Sequence, residues 1–304
     1  MFASSKDILE KANECHYAVG HFNINNMETV QGIVKAGVKL RSPLILATSE
    51  GALKYAGIDY LYNLAVTAAN SASIPIALHL DHGCDLNIIK ECINKGYSSV
   101  MVDGSHLPFE KNIALTKQVV ELAHAKGVTV EAELGTIGGA EDSIKAKQII
   151  YTDPKKAQEF VEQTGCDFLA IALGTSHGAF KFKGQVHLKM DILKEIKKIL
   201  PIPLVLHGAS EVPKNIVTMA KRYGAELDGV KGVPDEQIKL AIKYGINKIN
   251  TDTDLRLAFD AGVRWFIKKK PQDFDPRHIL APARELIQNV VEEKIKLFGS
   301  RGKA

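Results

Sequence analysis

Residues 76–85 read IALHLDHGCD and combine a hydrophobic run with a cluster of ionisable side chains. The first half is apolar and typical of a buried strand. The second half crowds together four ionisable residues: His79, Asp81, His82 and Asp85. Burying charge is costly unless the charge is paired or bound to a metal. The stretch therefore predicts a buried strand whose carboxyl end carries a functional site, with Asp85 capping the helix that follows.

Seven other β-rich runs alternate with longer helical patterns around this strand. The eight predicted strands are Tyr17–Ile24, Pro43–Ser49, Ile76–His82, Ser99–Ser105, Val128–Gly135, Phe168–Gly174, Pro203–Ser210 and Ile246–Thr253. Such alternation is typical of parallel βαβ units, and eight units close an α/β barrel. We therefore predict an α/β fold, a (β/α)8 TIM barrel, with residues 1–304 in one domain. An open doubly wound sheet is the alternative, but GHFNINN after strand one is no dinucleotide fingerprint.

Three segments depart from this alternation. Residues 135–152 form a connection too long for an ordinary strand-to-helix loop, which favours a mobile lid. The pattern also predicts an extra helix over Asp235–Tyr244 before strand eight and a terminal helix over Pro282–Phe298.

Composition narrows the function classes. The chain has 304 residues, 45% of them hydrophobic, and a net charge of +4 from scattered lysines and arginines. This pattern argues against nucleic acid as a partner. We also expect no membrane association, because we find no long apolar stretch or signal-peptide pattern. The four cysteines include no CxxC pair, which favours free thiols and a cytoplasmic location.

Three histidines lie at the ends of predicted strands. His82 ends strand three, His177 follows strand six in GTSHG, and His207 lies at the mouth of strand seven in LHGAS. In α/β barrels the chemistry is located at this end of the strands. Neutral imidazoles suit zinc, and three protein ligands with one open position are typical of a catalytic site. Asp103 and Glu133 at neighbouring strand ends can support these ligands or offer another metal position.

Small Gly- and Ser-rich turns follow strands six to eight. Backbone N–H groups in such turns can bind a phosphate, and the region after strands seven and eight is the usual phosphate site of the barrel. Beside three candidate metal ligands, these turns predict a phosphorylated substrate. The candidate residues are Gly178, Lys181, Gly208, Ala209, Ser210, Asn250 and Thr253.

At these positions the chain resembles the class II, zinc-dependent fructose-1,6-bisphosphate aldolases. The resemblance spans essentially the whole chain and is strongest in HLDHG, VMVDGSH, VEAELG, IALGTSHGAFKFKG, PLVLHGAS and GINKINTDTDLR. It implies a zinc-binding barrel that reversibly cleaves fructose 1,6-bisphosphate into dihydroxyacetone phosphate and glyceraldehyde 3-phosphate. It also implies a second divalent-ion site, a monovalent cation (Na⁺ or K⁺) and a homodimer or homotetramer.

The resemblance assigns roles to residues of this sequence. His82, His177 and His207 match the catalytic zinc ligands. Asp81 matches the residue that moves the C4 hydroxyl proton, and Glu141 the residue that moves the C1 proton of dihydroxyacetone phosphate. The positions associated with a second or displaced metal are Asp103 and Glu133.

The substrate contacts are assigned in the same way. Ser49 matches a contact to the other half of the substrate, and Arg277 an arginine that reaches the neighbouring subunit's substrate. The matches to the dihydroxyacetone-phosphate site are Gly178, Lys181, Gly208, Ser210, Asn250, Asp252 and Thr253.

Four alternatives remain open on the sequence. Tagatose-bisphosphate aldolases are near relatives, but the paired acids Asp252 and Asp254 favour fructose bisphosphate. A Schiff base on Lys248 is the rival chemistry, and it leaves three histidines unexplained. A metal-dependent hydrolase commonly has an HxH pair on strand one, where this chain has His21-Phe22-Asn23. A non-catalytic sugar-phosphate binder needs neither Asp81 nor an acidic lid.

Overall fold

The computed structural model describes residues 1–141, 144–146, 149–177, 187–227, 230 and 232–304. Within them the strands are β1 (Val19–Asn23), β2 (Leu44–Ser49), β3 (Ile76–Gly83), β4 (Ser99–Val102), β5 (Thr129–Leu134), β6 (Gly138–Glu141), β7 (Ile144–Ala146), β8 (Phe168–Ile171), β9 (Ser176–His177), β10 (Leu204–Leu206) and β11 (Ile246–Thr251). Eight of these close a parallel barrel in the order β1-β11-β10-β8-β5-β4-β3-β2. The predicted (β/α)8 TIM barrel is confirmed, and the open doubly wound alternative is wrong.

Helices surround the barrel. They are α1 (Ser5–Glu14), α2 (Met27–Leu40), α3 (Glu50–Ala56), α4 (Ile58–Ser71), α5 (Leu86–Lys95), α6 (Phe109–His124), α7 (Pro154–Thr164), α8 (Met190–Ile199), α9 (Lys214–Arg222), α10 (Asp235–Lys243), α11 (Thr253–Lys269) and α12 (Pro276–Phe298). Asp85 caps α5 as predicted, since its side chain accepts the N–H of Asn87. None of the helices in the described part of the chain is long and apolar enough to cross a membrane.

The terminal helix starts earlier than its sequence pattern predicts. We expected it to begin at Pro282, whereas α12 begins at Pro276 and Pro282 lies inside it. The side chain of Asp275 caps the helix by accepting the N–H of Arg277, and Pro276 suits the first helical position. The segment FDPRHIL predicts a Pro-containing loop at Arg277, which instead lies in the first turn of α12.

The interior of the barrel changes from apolar to polar along its strands. At the amino-terminal end, α1 packs against the starts of the strands. Ile8 and Leu9 of the helix contact apolar strand residues there, which include Val19, Ala77 and Val205. Because side chains alternate along a strand, every second residue faces the interior. Continuing along β1 and β3, the inward-facing residues become His21, Asn23, His79 and Asp81, all buried. The polar interior thus opens only toward the carboxyl ends of the strands.

The segment predicted as a lid contributes a small sheet at the carboxyl ends. Strand β6 pairs antiparallel with β7 and parallel with β9, so Gly139 lies beside His177. Residues 142–143 and 147–148 of this segment lie outside the described part. The sheet links the segment that carries Glu141 to the segment that carries His177.

Candidate active site

A bulge in β3 brings two adjacent residues into one site. Asp81 and His82 are neighbours, and regular alternation would point them to opposite faces of the strand. The register between β3 and β4 shifts between Leu80 and Gly83, and His82 has a φ of 47°. This left-handed conformation is uncommon outside glycine, and bulges beside active sites re-aim side chains. As a result, ligand atoms of Asp81, His82 and His207 lie within 4.8 Å of one another.

His82 is held by a carboxylate of the next strand. Its Nδ1 donates to Oδ2 of Asp103 at 2.7 Å, which leaves Nε2 as the candidate ligand atom. Asp103 is itself fixed by Ser105, whose N–H and hydroxyl both donate to Oδ1. Burial alone would lower the pKa of His82, but the charges of Asp81 and Glu133 and the bond to Asp103 raise it well above its usual value.

His207 is held by a buried ion pair below it. Its Nε2 donates to Oε1 of Glu131 at 2.8 Å, and the other oxygen of Glu131 lies 2.9 Å from Nζ of Lys248. The Nδ1 atom of His207 lies 3.3 Å from Oε2 of Glu133. Burial would lower the pKa of His207, and its bonds with Glu131 and Glu133 raise it instead. The ring therefore presents Nδ1 toward the strand-end cluster.

Two amides position Asp81. Nδ2 of Asn23 donates to Oδ2 of Asp81 at 2.9 Å, and Nδ2 of Asn250 donates to Oδ1 at 3.0 Å. Oδ1 of Asn250 accepts from Lys248 at 2.7 Å, which fixes the orientation of that amide. Asp81 thus has a defined orientation while its carboxylate faces the group that contains His82 and His207.

The donor set fits a divalent cation. Asp81, Asp103, Glu131 and Glu133 are buried, and Lys248 is the lysine buried with them in the described interior. Imidazole nitrogens and carboxylate oxygens are the usual zinc ligands besides cysteine. The group formed by His82, Asp103 and Glu133 is equally compact, within 4.8 Å. The raised pKa values of His82 and His207 have the same origin, because excess negative charge favours a proton where a metal would otherwise bind.

Some predicted residues lie beyond what the structure describes. The backbone of His177 is in β9 and that of Glu141 ends β6, but their side chains are outside the described part, as are residues Gly178 and Lys181. The pairing of β6 with β9 brings the backbones of these two segments together. Their predicted roles therefore stay predictions.

The backbone of the loop that follows β10 lies very close to the backbone of β9. Gly208 has a φ of 60°, and a Cβ on it would lie 2.8 Å from the carbonyl oxygen of Ser176. Val212 has a φ of 58°, which is an outlier for a β-branched residue. Ala209 and Ser210 between them are buried. The loop thus lies directly against β9, which carries His177.

A buried lysine and aspartate hold this loop in place. Asp254 in α11 accepts the backbone N–H groups of Glu211 and Val212 at 3.1 and 2.8 Å. Nζ of Lys294 in α12 lies 2.9 Å from Asp254 and 2.7 Å from Glu211. Burial would lower the pKa of Lys294, but these two carboxylates raise it. The carboxylate of Asp254 is thus engaged by the loop and by Lys294.

The remaining candidate substrate contacts lie in different elements and have different partners. Asp252 precedes α11 and pairs with Arg256 at 2.7 Å, and Thr253 is the first residue of that helix. Ser49 ends β2 beside Asp81 and caps α3 through its hydroxyl. Arg277 is 85% exposed, and its side-chain hydrogen bonds within the described residues all go to Asp275.

Sequence reasoning missed part of the support around Asp81. The sequence pattern assigns no role in the site to His21 or Asn23, yet both face Asp81 from β1. Their spacing of two residues on a predicted strand was the available signal, because it places them on one face. His79 also belongs to this buried interior, and its Nδ1 pairs with Oγ of Ser99 at 2.8 Å.

Fold and site together define a (β/α)8-barrel protein whose strand ends are equipped for metal-dependent chemistry. A family model described as "Fructose-bisphosphate aldolase class-II" matches residues 3–303. Similar proteins include the fructose-bisphosphate aldolase of Thermus caldophilus, 49% identical over 100% of both chains, and that of Giardia intestinalis, 48% identical over 98% of this chain and 93% of the relative. The crystal structure of the YdjI aldolase from Escherichia coli K12 is 34% identical with a TM-score of 0.80, covering 100% of both chains.

The chain belongs to the class II fructose-bisphosphate aldolase family. Members of this family are carbon–carbon lyases that depend on zinc and act on sugar bisphosphates. Within the described residues, the His and carboxylate groups above can bind such a metal.

We expect Glu131→Gln to weaken zinc binding by roughly 10–100-fold, the usual effect of losing a group that orients a ligand. The substitution removes the charge that orients His207 and leaves Lys248 buried without its counterion. Competition with a chromophoric chelator measures the affinity. Asp167→Asn is the matched control, since Asp167 accepts from His124 at 2.8 Å outside the cluster. Equal zinc affinity in the two variants would contradict the role of Glu131.

Proposed function

We propose that this protein reversibly cleaves fructose 1,6-bisphosphate into dihydroxyacetone phosphate and glyceraldehyde 3-phosphate, with zinc held by His82, His177 and His207. The single observation that carries this proposal is the compact group of Asp81, His82 and His207, whose ligand atoms lie within 4.8 Å. It places a candidate proton carrier beside two candidate metal ligands. A cytoplasmic role in glycolysis and gluconeogenesis belongs to the same proposal.

Zinc bound there would supply a Lewis acid for the negative charge that develops when the bond beside the ketone breaks. The chain's own contribution is to hold the two rings by their outer nitrogens, through Asp103 for His82 and Glu131 for His207. Asp103 and Glu133, grouped with His82, are the proposed second or displaced metal position. A monovalent cation, Na⁺ or K⁺, is part of the proposal as well.

Asp81 takes the proton from the C4 hydroxyl. The C3–C4 bond then breaks, its electron pair passes to the dihydroxyacetone-phosphate half, and C4 becomes the aldehyde carbon. Asn23 and Asn250 hold one carboxylate oxygen each, which fixes the direction from which Asp81 accepts the proton. Glu141, on the β6 segment beside β9, moves the C1 proton of dihydroxyacetone phosphate.

The phosphate of dihydroxyacetone phosphate binds where a loop and a helix begin. Backbone N–H groups of Gly208, Ala209 and Ser210 belong to the loop that Asp254 holds. Thr253 starts α11, a helix of 17 residues whose amino terminus favours an anion. The proposed contacts that complete this half are Gly178, Lys181, Asn250 and Asp252. Ser49 serves the other half of the substrate and lies beside Asp81 in the β2–β3 register.

The rival functions have less support. Lys248 is buried in an ion pair with Glu131 and donates to Asn250, which disfavours a free amine for a Schiff base. A hydrolase or a pure binding protein would not need Asp81 to be oriented by two amides. The relatives are named for fructose bisphosphate, which favours that substrate over its C4 epimer tagatose bisphosphate.

The test of the proposed function is a coupled assay for triose phosphate release. We expect cleavage of fructose bisphosphate that chelation abolishes and zinc restores, with a higher kcat/KM than for tagatose bisphosphate. Borohydride added with the substrate should not inactivate the enzyme. Covalent trapping at Lys248 would contradict the metal mechanism, and a preference for tagatose bisphosphate would overturn the substrate assignment.

We expect Asp81→Asn to reduce kcat by roughly 10²–10⁴-fold, the usual contribution of a positioned acid or base. In the absence of excess zinc, the zinc content should stay unchanged, because His82 and His207 keep their own partners. Steady-state kinetics and elemental analysis of the same sample measure both quantities. Asp260→Asn, at an exposed pair with Arg264, is the control. An active Asp81→Asn variant would assign proton transfer to another residue.

We propose that Arg277 completes the substrate site of a neighbouring subunit in a homodimer or homotetramer. The side chain is 85% exposed and pairs only with Asp275 among the described residues, so it is available to a second chain. A guanidinium binds phosphate in a bidentate manner, which suits the distal phosphate of the substrate. Arg277→Ala should therefore raise KM for the bisphosphate and leave the zinc content unchanged.

Subunit mixing tests this placement directly. Neither Arg277→Ala nor His177→Ala alone should have full activity. A mixed dimer contains one site with an intact His177 facing a partner with an intact Arg277, so activity should partly return. If subunits demonstrably exchange and activity does not recover, Arg277 does not act across the interface.

A further inference from the structure

A second group of potential metal ligands lies inside the barrel, on β1 and β3. One ligand atom from each of His21, His79 and Asp81 lies within 4.8 Å of the others, and all three residues are buried. Nε2 of His21 is 3.6 Å from Oδ1 of Asp81. The two imidazole rings contact each other edge to face, with centroids 5.3 Å apart. His21 faces Asp81 but takes no part in the proposed catalytic steps.

Three of the four ring nitrogens in this group lack a hydrogen-bond partner among the described residues. Neither ring nitrogen of His21 has a hydrogen-bond partner among the described residues, although the side chain is fully buried. Nδ1 of His79 pairs with Ser99, while its Nε2 also lacks a partner within the described chain. Leaving buried polar atoms unpaired costs free energy, and such atoms in native proteins are explained by an ordered water, a bound ion or a functional role.

We propose that His21, His79 and Asp81 form an inner divalent-metal site inside the barrel. Two ligands that each lie about 2.0–2.1 Å from a tetrahedral zinc ion are about 3.4 Å apart. The 3.6 Å between His21 and Asp81 matches this spacing closely. Two imidazole nitrogens and one carboxylate oxygen are a zinc donor set, and a cation here would satisfy the unpaired nitrogens.

The charges around the group set its affinity. Burial and the nearby charge of Lys248 lower the pKa of His79 to about 3 and that of His21 well below its usual value, so both rings are neutral and keep a lone pair for a metal. Lys248 also repels a cation, and Glu131 offsets that charge at 2.9 Å. The inner site is therefore weaker than the catalytic one and fills only when zinc exceeds the catalytic sites.

Occupancy of the inner site has a consequence for activity, which rests on the proposed function. Asp81 belongs both to the inner group and to the group with His82 and His207. A cation bound to Oδ1 of Asp81 would compete with the C4 hydroxyl proton for this carboxylate. Excess zinc is therefore expected to inhibit cleavage through Asp81.

Zinc stoichiometry tests the site without any activity measurement. We would dialyse wild type, His21→Ala and His21→Gln against zinc in excess over the chain and count bound zinc by elemental analysis. The expected result is one zinc fewer per chain in both variants than in wild type. His124→Ala, which removes a histidine that pairs with Asp167, should bind as much zinc as wild type. Circular dichroism checks the fold, and His21→Gln replaces His21→Ala if the latter unfolds. Equal stoichiometry in wild type and a folded His21 variant would overturn the proposal.

Cleavage measured with and without excess zinc distinguishes a failure of the inner site from a failure of the proposed function. In wild type, excess zinc should reduce cleavage about tenfold or more, since a positioned acid or base contributes at least about 10²-fold. In the His21 variants the ratio of activities with and without excess zinc should stay within about twofold of unity. A stoichiometry difference in a protein with no aldolase activity would refute the proposed function and leave the inner site standing. Equal inhibition in wild type and variants would refute the regulatory consequence.

Discussion

The buried ion pair between Lys248 and Glu131 is the contact on which the rest of the barrel interior depends. Glu131 accepts from His207, and Lys248 donates to Asn250, which in turn donates to Asp81. One pair in the middle of the barrel therefore orients a candidate metal ligand and the candidate proton carrier. Breaking a buried pair by removing one partner typically costs about 3–5 kcal/mol, since the other charge is left uncompensated. The ion pair between Lys248 and Glu131 thus supports both the candidate site and the interior of the barrel.

The strand ends concentrate negative charge on one side of that pair. Asp81, Asp103 and Glu133 are buried there and lie close to the rings of His82 and His207. The same rings have raised pKa values, whereas those of His21 and His79 deeper in the barrel are lowered. Burial, reinforced by the charge of Lys248, lowers the pKa values of the two deeper rings, whereas the neighbouring carboxylates raise the pKa values of the two rings at the strand ends.

Much of the fold and of the site could be predicted from the sequence. Alternating apolar and helical patterns predict all eight barrel strands, because strands buried on both sides must be apolar. The strand-end positions of His82, Asp103, Glu133 and His207 follow from the same pattern.

Other features depend on contacts that no local pattern encodes. The bulge at β3 requires the pairing with β4, and simple alternation would have separated Asp81 from His82. The early start of α12 follows from the cap at Asp275, seven residues before the predicted start at Pro282. His21 has a role in the interior only because β1 and β3 bring it to Asp81, 60 positions along the chain but 3.6 Å away.

The tie between Lys294 and the loop after β10 has a consequence for the order of events during synthesis. Val212 keeps its left-handed backbone while Asp254 accepts its N–H, and Lys294 neutralises Asp254 from the last helix. Until that helix has left the ribosome and packed, the loop lacks its counterion and the strained conformation is unsupported. A growing chain can therefore form barrel strands while the loop after β10 still lacks the contacts that Asp254 and Lys294 supply.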